Sequence, residues 1–138
     1  MPRLSVLRAA LKHPRLEKLH GLPELIVALE GCSQACWTCV EACIAEDSAR
    51  TLGKCIRLAM DCGTVCTATA TVLARSNEPD DRLLSVQVFA CREALSLCAA
   101  HCEKLAKRHP ACGACAEACR ACERLCLDIA THLPAVTP

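Results

Sequence analysis

The chain has 138 residues, 15 of them cysteine, and a formal net charge of +1 from 16 basic and 15 acidic residues. This length fits one domain that can bury a core. The balanced charge and the near absence of aromatic residues (one Trp, one Phe, no Tyr) argue against a nucleic-acid-binding protein. No uninterrupted apolar run reaches the length of a bilayer span, so we expect no membrane association.

The cysteine content first suggests a secreted disulfide scaffold. The odd count, however, leaves at least one thiol unpaired. The first twelve residues interrupt their apolar positions with Arg8 and Lys12, and they contain neither a signal-peptide core nor a twin-arginine pair. The chain is also helical in pattern almost throughout, whereas disulfide scaffolds are rich in loops. The sequence therefore predicts reduced thiols in the cytoplasm.

Residues 1–22 are predicted to form an N-terminal leader. One short amphipathic helix ends at His13-Pro14, and a second turn precedes Gly21. Their apolar positions are Leu4, Val6, Leu7 and Leu11 in the helix, and Leu16 and Leu19 in the turn. We expect this leader to be a packing arm or an oligomer contact.

Four longer segments, at 23–46, 49–75, 81–107 and 111–132, have apolar residues at helical spacing. Residues 76–80 are a turn by composition, and Asp80 or Asp81 can cap the next helix. Short connections between long helices favour antiparallel neighbours. The predicted fold is therefore all-α, an antiparallel up-down-up-down four-helix bundle over residues 23–133, followed by a C-terminal tail at 134–138.

Cysteines fall on one face of each predicted helix. In the last helix, five cysteines at steps of three, four, three and four residues lie within an arc of roughly 80°. The inward cysteines are Cys32, Cys36, Cys39 and Cys43 in the first helix, Cys55, Cys62 and Cys66 in the second, Cys91, Cys98 and Cys102 in the third, and Cys112, Cys115, Cys119, Cys122 and Cys126 in the fourth.

The up-and-down course predicts two different ends for this bundle. Four cysteines gather at an open end beside the connections at 44–50 and 107–111: Cys43, Cys55, Cys102 and Cys112. A hydrocarbon plug closes the other end: Leu25, Leu29, Leu73, Leu84, Val88, Ile129 and Leu133. The sulfur column between them spans about 16 Å, from about eleven residues at 1.5 Å rise.

A buried cysteine is most often a small hydrophobe, and Cys55 or Cys91 alone would fit that role. Fifteen in one interior do not, because Ala, Val or Leu would fill the space without redox reactivity. Disulfides between residues three or four apart on a helix would strain the required dihedral angles. Metal binding is therefore the favoured interpretation.

Charge balance favours a monovalent soft ion. Four thiolates around Zn²⁺ carry a net charge of −2, and several such sites are costly to bury together. Cu(I) replaces one proton per thiolate, so a filled core stays roughly neutral, and thiolates select this ion. If each thiolate bridges two ions, the capacity approaches about one Cu(I) per cysteine, up to ~15.

The cysteine spacing resembles that of the four-helix-bundle copper storage proteins, a bacterial family whose interior is lined by Cys-x-x-x-Cys pairs. The resemblance covers about residues 23–132. Six pairs match the motif: Cys32/Cys36, Cys39/Cys43, Cys62/Cys66, Cys98/Cys102, Cys115/Cys119 and Cys122/Cys126. Cys55, Cys91 and Cys112 complete the lining.

The resemblance implies a cytosolic store without catalytic activity, a homotetramer, and copper uptake at one open end with help from non-cysteine ligands. His109, in phase with the third helix, and His101, beside Cys102, are the candidate ligands there. Met1 is terminal and Met60 faces away from the cysteines, so uptake relies on cysteine and histidine. A copper chaperone or a low-molecular-weight thiol is the expected donor.

Two other metal-binding classes stay open. The spacing of Cys36, Cys39 and Cys43 suggests an iron–sulfur electron-transfer protein, but ferredoxin ligands lie on loops and not within helices. A zinc- or cadmium-buffering protein of metallothionein type is the other alternative. An enzyme is disfavoured because nothing distinguishes one nucleophilic cysteine from fifteen.

Overall fold

The computed structural model describes residues 2–10, 21–46, 49–75 and 80–136. Over these residues the protein is all-helical and contains no β-strand. Its helices are α1 (Pro2–Ala10), α2 (Leu22–Ile44), α3 (Ala49–Leu73), α4 (Asp81–Leu105) and α5 (Pro110–Ala130). The four long helices begin within one residue of the predicted starts and end two residues before the predicted ends.

Local sequence explains where three of the long helices begin. Gly21 precedes α2 with a left-handed φ of 84°, and Pro23 lies in the first turn, where its fixed φ suits a helix. The Asp80 carboxylate accepts a hydrogen bond of 2.8 Å from the backbone N–H of Leu83, which confirms the predicted cap of α4. Pro110 is the first residue of α5.

The four long helices pack in a manner consistent with a bundle. α2 and α4 each pack against both α3 and α5, so the four helices surround one core. Six aliphatic residues of the predicted plug are buried, namely Leu25, Leu29, Leu73, Leu84, Val88 and Ile129, and Leu133 is partly buried. All fifteen cysteines belong to the same core, together with further apolar residues such as Ile26, Leu52 and Leu95.

The leader helix α1 packs on the outside of α2. Leu7 is 5% exposed in this contact, and Arg3 and Arg8 form ion pairs with Glu30 and Glu24. The described part of the leader therefore packs against the first long helix. The predicted helix end at 13–14, the apolar residue at 11 and the second turn at 16–19 lie outside the described residues.

By length and composition, α4 and the Leu52–Leu73 part of α3 could each cross a membrane. The expectation from the sequence concerns uninterrupted apolar runs. It does not conflict with this finding, because cysteine and alanine raise the average hydropathy of both helices without forming such a run. Both helices direct cysteines into the shared core. Core helices of soluble proteins often have the same length and hydropathy, so these two properties are weak evidence for membrane insertion.

Candidate metal centre

Each long helix turns its cysteine face toward the core. All fifteen cysteines are free thiols, and none is more than 2% exposed. Steps of three, four and seven residues keep them on one face of each helix. Sulfurs from different helices approach to 3.7–3.9 Å. The predicted cysteine faces therefore meet in one continuous sulfur-lined interior.

At one end, four sulfurs lie within 4.8 Å of one another; we call Cys39, Cys43, Cys55 and Cys112 the mouth group. The Cys112 Sγ is 3.7 Å from the Sγ atoms of Cys39 and Cys55 and 3.9 Å from that of Cys43. Cys102 adjoins the group, with its Sγ 3.7 Å from the Cys55 Sγ. The sulfurs predicted to gather at the open end thus come from all four long helices.

Two further groups of four occupy the middle of the column and share the sulfurs of Cys36 and Cys119. These central groups are Cys32, Cys36, Cys62 and Cys119, and Cys36, Cys98, Cys115 and Cys119. The Cys119 Sγ lies 3.7 Å from the Cys32 Sγ and 3.8 Å from the Cys62 Sγ. A group of three, Cys39, Cys102 and Cys115, links the central groups to the mouth group.

The remaining cysteines, Cys66, Cys91, Cys122 and Cys126, extend the column toward the aliphatic end. The Cys66 Sγ is 3.9 Å from the Cys62 Sγ, and the Cys122 thiol donates to the Ala28 carbonyl at 3.2 Å. Hydrogen bonds from Cys126 and then Cys66 lower the pKa of the Cys91 thiol to about 4. All fifteen predicted cysteines therefore face the same interior.

A close approach of α2 and α3 holds their two cysteine faces in register. A Cβ at Gly63 would lie 3.2 Å from Cε2 of Trp37 and 3.3 Å from Cβ of Cys36, so glycine permits this packing. The Ser33 hydroxyl donates to the Gly63 carbonyl at 3.0 Å and lies 2.8 Å from Oγ1 of Thr67. This polar link satisfies a buried hydroxyl beside the sulfur column.

Burial governs the protonation of the mouth group. Removal from water, followed by the nearby charge of Cys55, raises the pKa of Cys112 to about 12. Burial is also the largest cause of the raised pKa of Cys43. By contrast, hydrogen bonds with Cys102 and then Cys39 lower the pKa of the Cys55 thiol. The group can therefore hold one thiolate among neutral thiols that donate hydrogen bonds to it.

His109 lies at the mouth group. It precedes α5 and lines a cavity of about 60 Å³ together with Cys43, Cys112 and Glu46. The His109 side chain is 17% exposed, and its Nδ1 is 3.8 Å from Oε1 of Glu46. Glu46 was not predicted from the sequence to lie at this site. Its position three residues after Cys43, the last cysteine of α2, was the only sequence feature that pointed to it.

His101 differs from His109. Its side chain is partly buried, and its Nε2 is buried with no hydrogen-bond partner among the described residues. None of the sulfur groups formed by these residues includes it. The structure thus brings His109 to the mouth group and includes His101 in none of the described sulfur groups.

The sulfur spacing is suited to metal ions. A metal–thiolate bond of about 2.3 Å separates sulfurs around one three- or four-coordinate ion by about 3.8–4.0 Å. The observed distances of 3.7–3.9 Å match this value. Because Cys36 and Cys119 each belong to two groups, ions in adjacent groups would share sulfur ligands. The interior can therefore hold a connected series of ions and is not limited to separate sites.

Comparison with known proteins agrees with this geometry. The sequence model of the copper storage protein family matches residues 19–131. A cytosolic copper storage protein from Streptomyces lividans, Ccsp, solved with 10 copper equivalents, is 34% identical, with a TM-score of 0.86 over 94% of this chain and 99% of that chain. Its structure with five coppers superposes with 38% identity and a TM-score of 0.81 over 83% of this chain and 95% of that chain.

A sequence relative comes from Bacillus subtilis (strain 168). This uncharacterized cysteine-rich protein, YhjQ, is 29% identical over 105 residues, or 76% of this chain and 92% of that protein. The family match covers the four long helices and every cysteine of the interior. The chain belongs to the copper storage protein family.

Proposed function

We propose that the protein stores Cu(I) on cysteine thiolates inside its helical bundle. The observation that carries this proposal is the clustering of fifteen buried, free thiols with neighbouring sulfurs 3.7–3.9 Å apart. Zn²⁺ would fit similar distances, so charge decides between the ions. Shared sulfurs around Cu(I) give a nearly neutral core, whereas a series of divalent thiolate sites would bury a large negative charge.

All fifteen cysteines are the proposed Cu(I) ligands, and the ions are cargo. Cys36 and Cys119, which each belong to two sulfur groups, would bridge adjacent ions. The homologous Ccsp structures with five and ten coppers support a store that fills progressively. A family defined by storage also supports a protein without catalytic activity.

The proposed site of copper uptake is the mouth group. His109 lines the small cavity that adjoins Cys43 and Cys112, and a partly exposed imidazole can pass a soft ion to buried thiolates. Glu46 lies 3.8 Å from this imidazole and favours its orientation toward the cavity. His101, whose buried Nε2 lacks a partner among the described residues, is a second candidate ligand.

The proposed topology is antiparallel, up-down-up-down, over residues 23–133, with 1–22 as the leader and 134–138 as the tail. The order of contacts along the helices supports this. Cys39 of α2 contacts Cys55 of α3, whereas the earlier Ser33 contacts the later Gly63. Between α2 and α5, contacts likewise run in opposite order, from Cys43/Cys112 to Cys32/Cys119.

We propose a cytosolic homotetramer that receives copper from a chaperone or a low-molecular-weight thiol. The cytosolic Ccsp homologue supports the compartment. An apolar outer face of α4 supports association: Leu83, Val86, Ala90 and Leu97 are exposed within roughly 60° of arc. Such a face of a helix is typical of a contact with another subunit.

Native mass spectrometry of the reduced protein, exposed to Cu(I) and Zn²⁺ together, tests the proposed cargo. We expect many Cu(I) ions and little zinc, and an almost colourless protein, because Cu(I) is a d¹⁰ ion. Preferential zinc loading would instead indicate a metallothionein-like buffer. A brown protein with visible absorption would indicate an iron–sulfur protein.

A further inference from the structure

We propose that a cavity between α4 and the C-terminal tail binds a small carboxylate that carries a short apolar chain. Two adjoining cavities of about 250 Å³ each lie between α4 and residues 130–136. Both are lined by Ser85, Pro134, Ala135 and Val136, and the first also by Phe89 and Arg92. None of the described lining residues is a cysteine, so this cavity lies outside the sulfur column, although the charge of Arg92 acts on the Cys126 thiol.

Two buried polar atoms in this cavity lack hydrogen-bond partners among the described residues, namely Oγ of Ser85 and Nε of Arg92. Ser85 is 6% exposed, so water reaches its hydroxyl poorly. The two residues are seven apart on α4 and therefore lie on the same face, two turns from each other. Unmatched buried polar groups are rare and destabilising, so a bound group that accepts hydrogen bonds would be favoured here.

The chemistry of Arg92 defines the kind of partner that this site favours. An arginine side chain donates hydrogen bonds but cannot accept one, so the partner is an acceptor. Its fixed positive charge favours an anion, and its planar fork matches a carboxylate. The Ser85 hydroxyl can donate to the same group. Arg82, which lines the adjoining cavity together with Ser85, adds a second positive charge nearby.

The remaining walls define the rest of the ligand. Phe89, Ala130, Leu133 and Val136 line the same cavity as Arg92 and give it apolar surface, which suits a short hydrocarbon chain. This apolar surface favours a ligand with a hydrocarbon part, which inorganic phosphate lacks. The cavity that Arg92 lines holds about 250 Å³, below the usual range for drug-sized ligands of about 300–1,000 Å³, so a ligand confined to it is small.

The test is an NMR titration of the full-length, reduced, copper-free chain with butanoate, at constant ionic strength set with chloride. We expect saturable shifts in the amides around Ser85 and Arg92. Butanamide, which has nearly the same shape without the charge, should bind at least ~10-fold more weakly, because it loses a charge-assisted hydrogen bond. Phosphate should cause no saturable shift at this cavity.

Variants connect the binding to the proposed residues. Arg92→Gln should weaken butanoate binding by ~10-fold or more and Ser85→Ala by ~3-fold, while copper capacity stays unchanged. Arg57→Gln is the matched control, since it removes the same charge from an exposed position on α3. Arg92→Lys, which keeps the charge and loses the fork, provides a second variant if Arg92→Gln does not fold.

Equal binding of butanoate and butanamide would overturn the proposal, as would unchanged binding by Arg92→Gln or by Arg92→Lys. Saturable phosphate binding that competes with butanoate would overturn the assignment to an apolar carboxylate. An absence of any saturable shift with butanoate would also overturn the proposal.

Discussion

The sulfur atoms of Cys36 and Cys115 lie 3.8 Å apart, although 79 residues separate them in the chain. Cys36 belongs to α2 and Cys115 to α5, and both belong to a central group whose sulfurs lie within 4.8 Å of one another. Cys36 is also a member of the second central group. Sites that share sulfurs in this way are coupled, so the loss of one cysteine should not cost the same amount of copper at every position.

The first prediction compares Cys119→Ala with Cys66→Ala. Cys119 belongs to both central groups, whereas Cys66 belongs to none of the sulfur groups formed by the described residues. Because its thiolate would bridge more ions, loss of Cys119 should remove about two Cu(I) ions and loss of Cys66 about one. Alanine adds no polar group to the core. Copper content of each fully loaded variant is measured by metal analysis; equal losses would contradict the shared-sulfur arrangement.

The second prediction concerns the rate of copper uptake. His109→Ala should slow the first phase of loading by roughly 3- to 10-fold, as expected for the loss of one modest polar contact. Its final copper capacity should be unchanged, since the cysteines remain. Stopped-flow mixing with a coloured Cu(I) chelate measures the rate. His132→Ala, which changes a histidine after the end of α5, is the control and should load at the normal rate. Equal rates in both variants would exclude His109 from uptake.

The third prediction is a rise in copper affinity with pH. Burial raises the pKa of Cys112 to about 12 and also raises that of Cys43, so both thiols are protonated at neutral pH. Each Cu(I) ion bound by such a thiol displaces a proton, and protons compete more strongly at low pH. Between about pH 6.5 and about pH 8.5 the apparent affinity should therefore rise about tenfold per pH unit for each proton displaced.

Competition with a chelator measures this affinity, after correction for the protonation of the chelator itself. A pH-independent value would mean that the ligating thiols are already ionised before copper binds.

The fourth prediction separates the role of the leader from that of the metal centre. Leu7 is 5% exposed against α2, so Leu7→Ala should lower the free energy of unfolding by about 2 kcal/mol, the low end for a buried leucine at an edge. Val6 is 61% exposed, and Val6→Ala should change the free energy of unfolding by less than about 0.5 kcal/mol. Denaturant unfolding of the reduced apo-protein measures both values. Copper capacity should be normal in each variant, and a loss of capacity in Leu7→Ala would tie the leader to the metal centre.

The helix positions were largely predictable because the cysteine period is a local property of each segment. The predicted ends are two residues too long, since residues such as Ala45, Ala74 and Ala106 have high helix propensity. At these ends the backbone forms tighter turns, in which the hydrogen bond joins residues three apart instead of four. The Arg75 N–H, for example, donates to the Val72 carbonyl at 3.3 Å. Propensity does not distinguish a last α-helical turn from such a tighter one.

The contacts between helices could not be predicted in the same way. Which sulfurs meet, such as Cys32 and Cys119 at 3.7 Å, depends on how far each helix is shifted along its neighbour. Contacts such as that of Gly63 with Trp37 set this shift, and periodicity does not encode it. The proximity of Glu46 to His109 likewise depends on the conformation of two chain connections.

Anaerobic titration of the reduced apo-protein with Cu(I), against a chromophoric chelator, tests the storage function most directly. Fifteen buried thiols with shared sulfurs predict that many equivalents bind before the chelator takes up copper, approaching about one per cysteine. Saturation after one or two equivalents would contradict storage and would leave a copper carrier or sensor as the function.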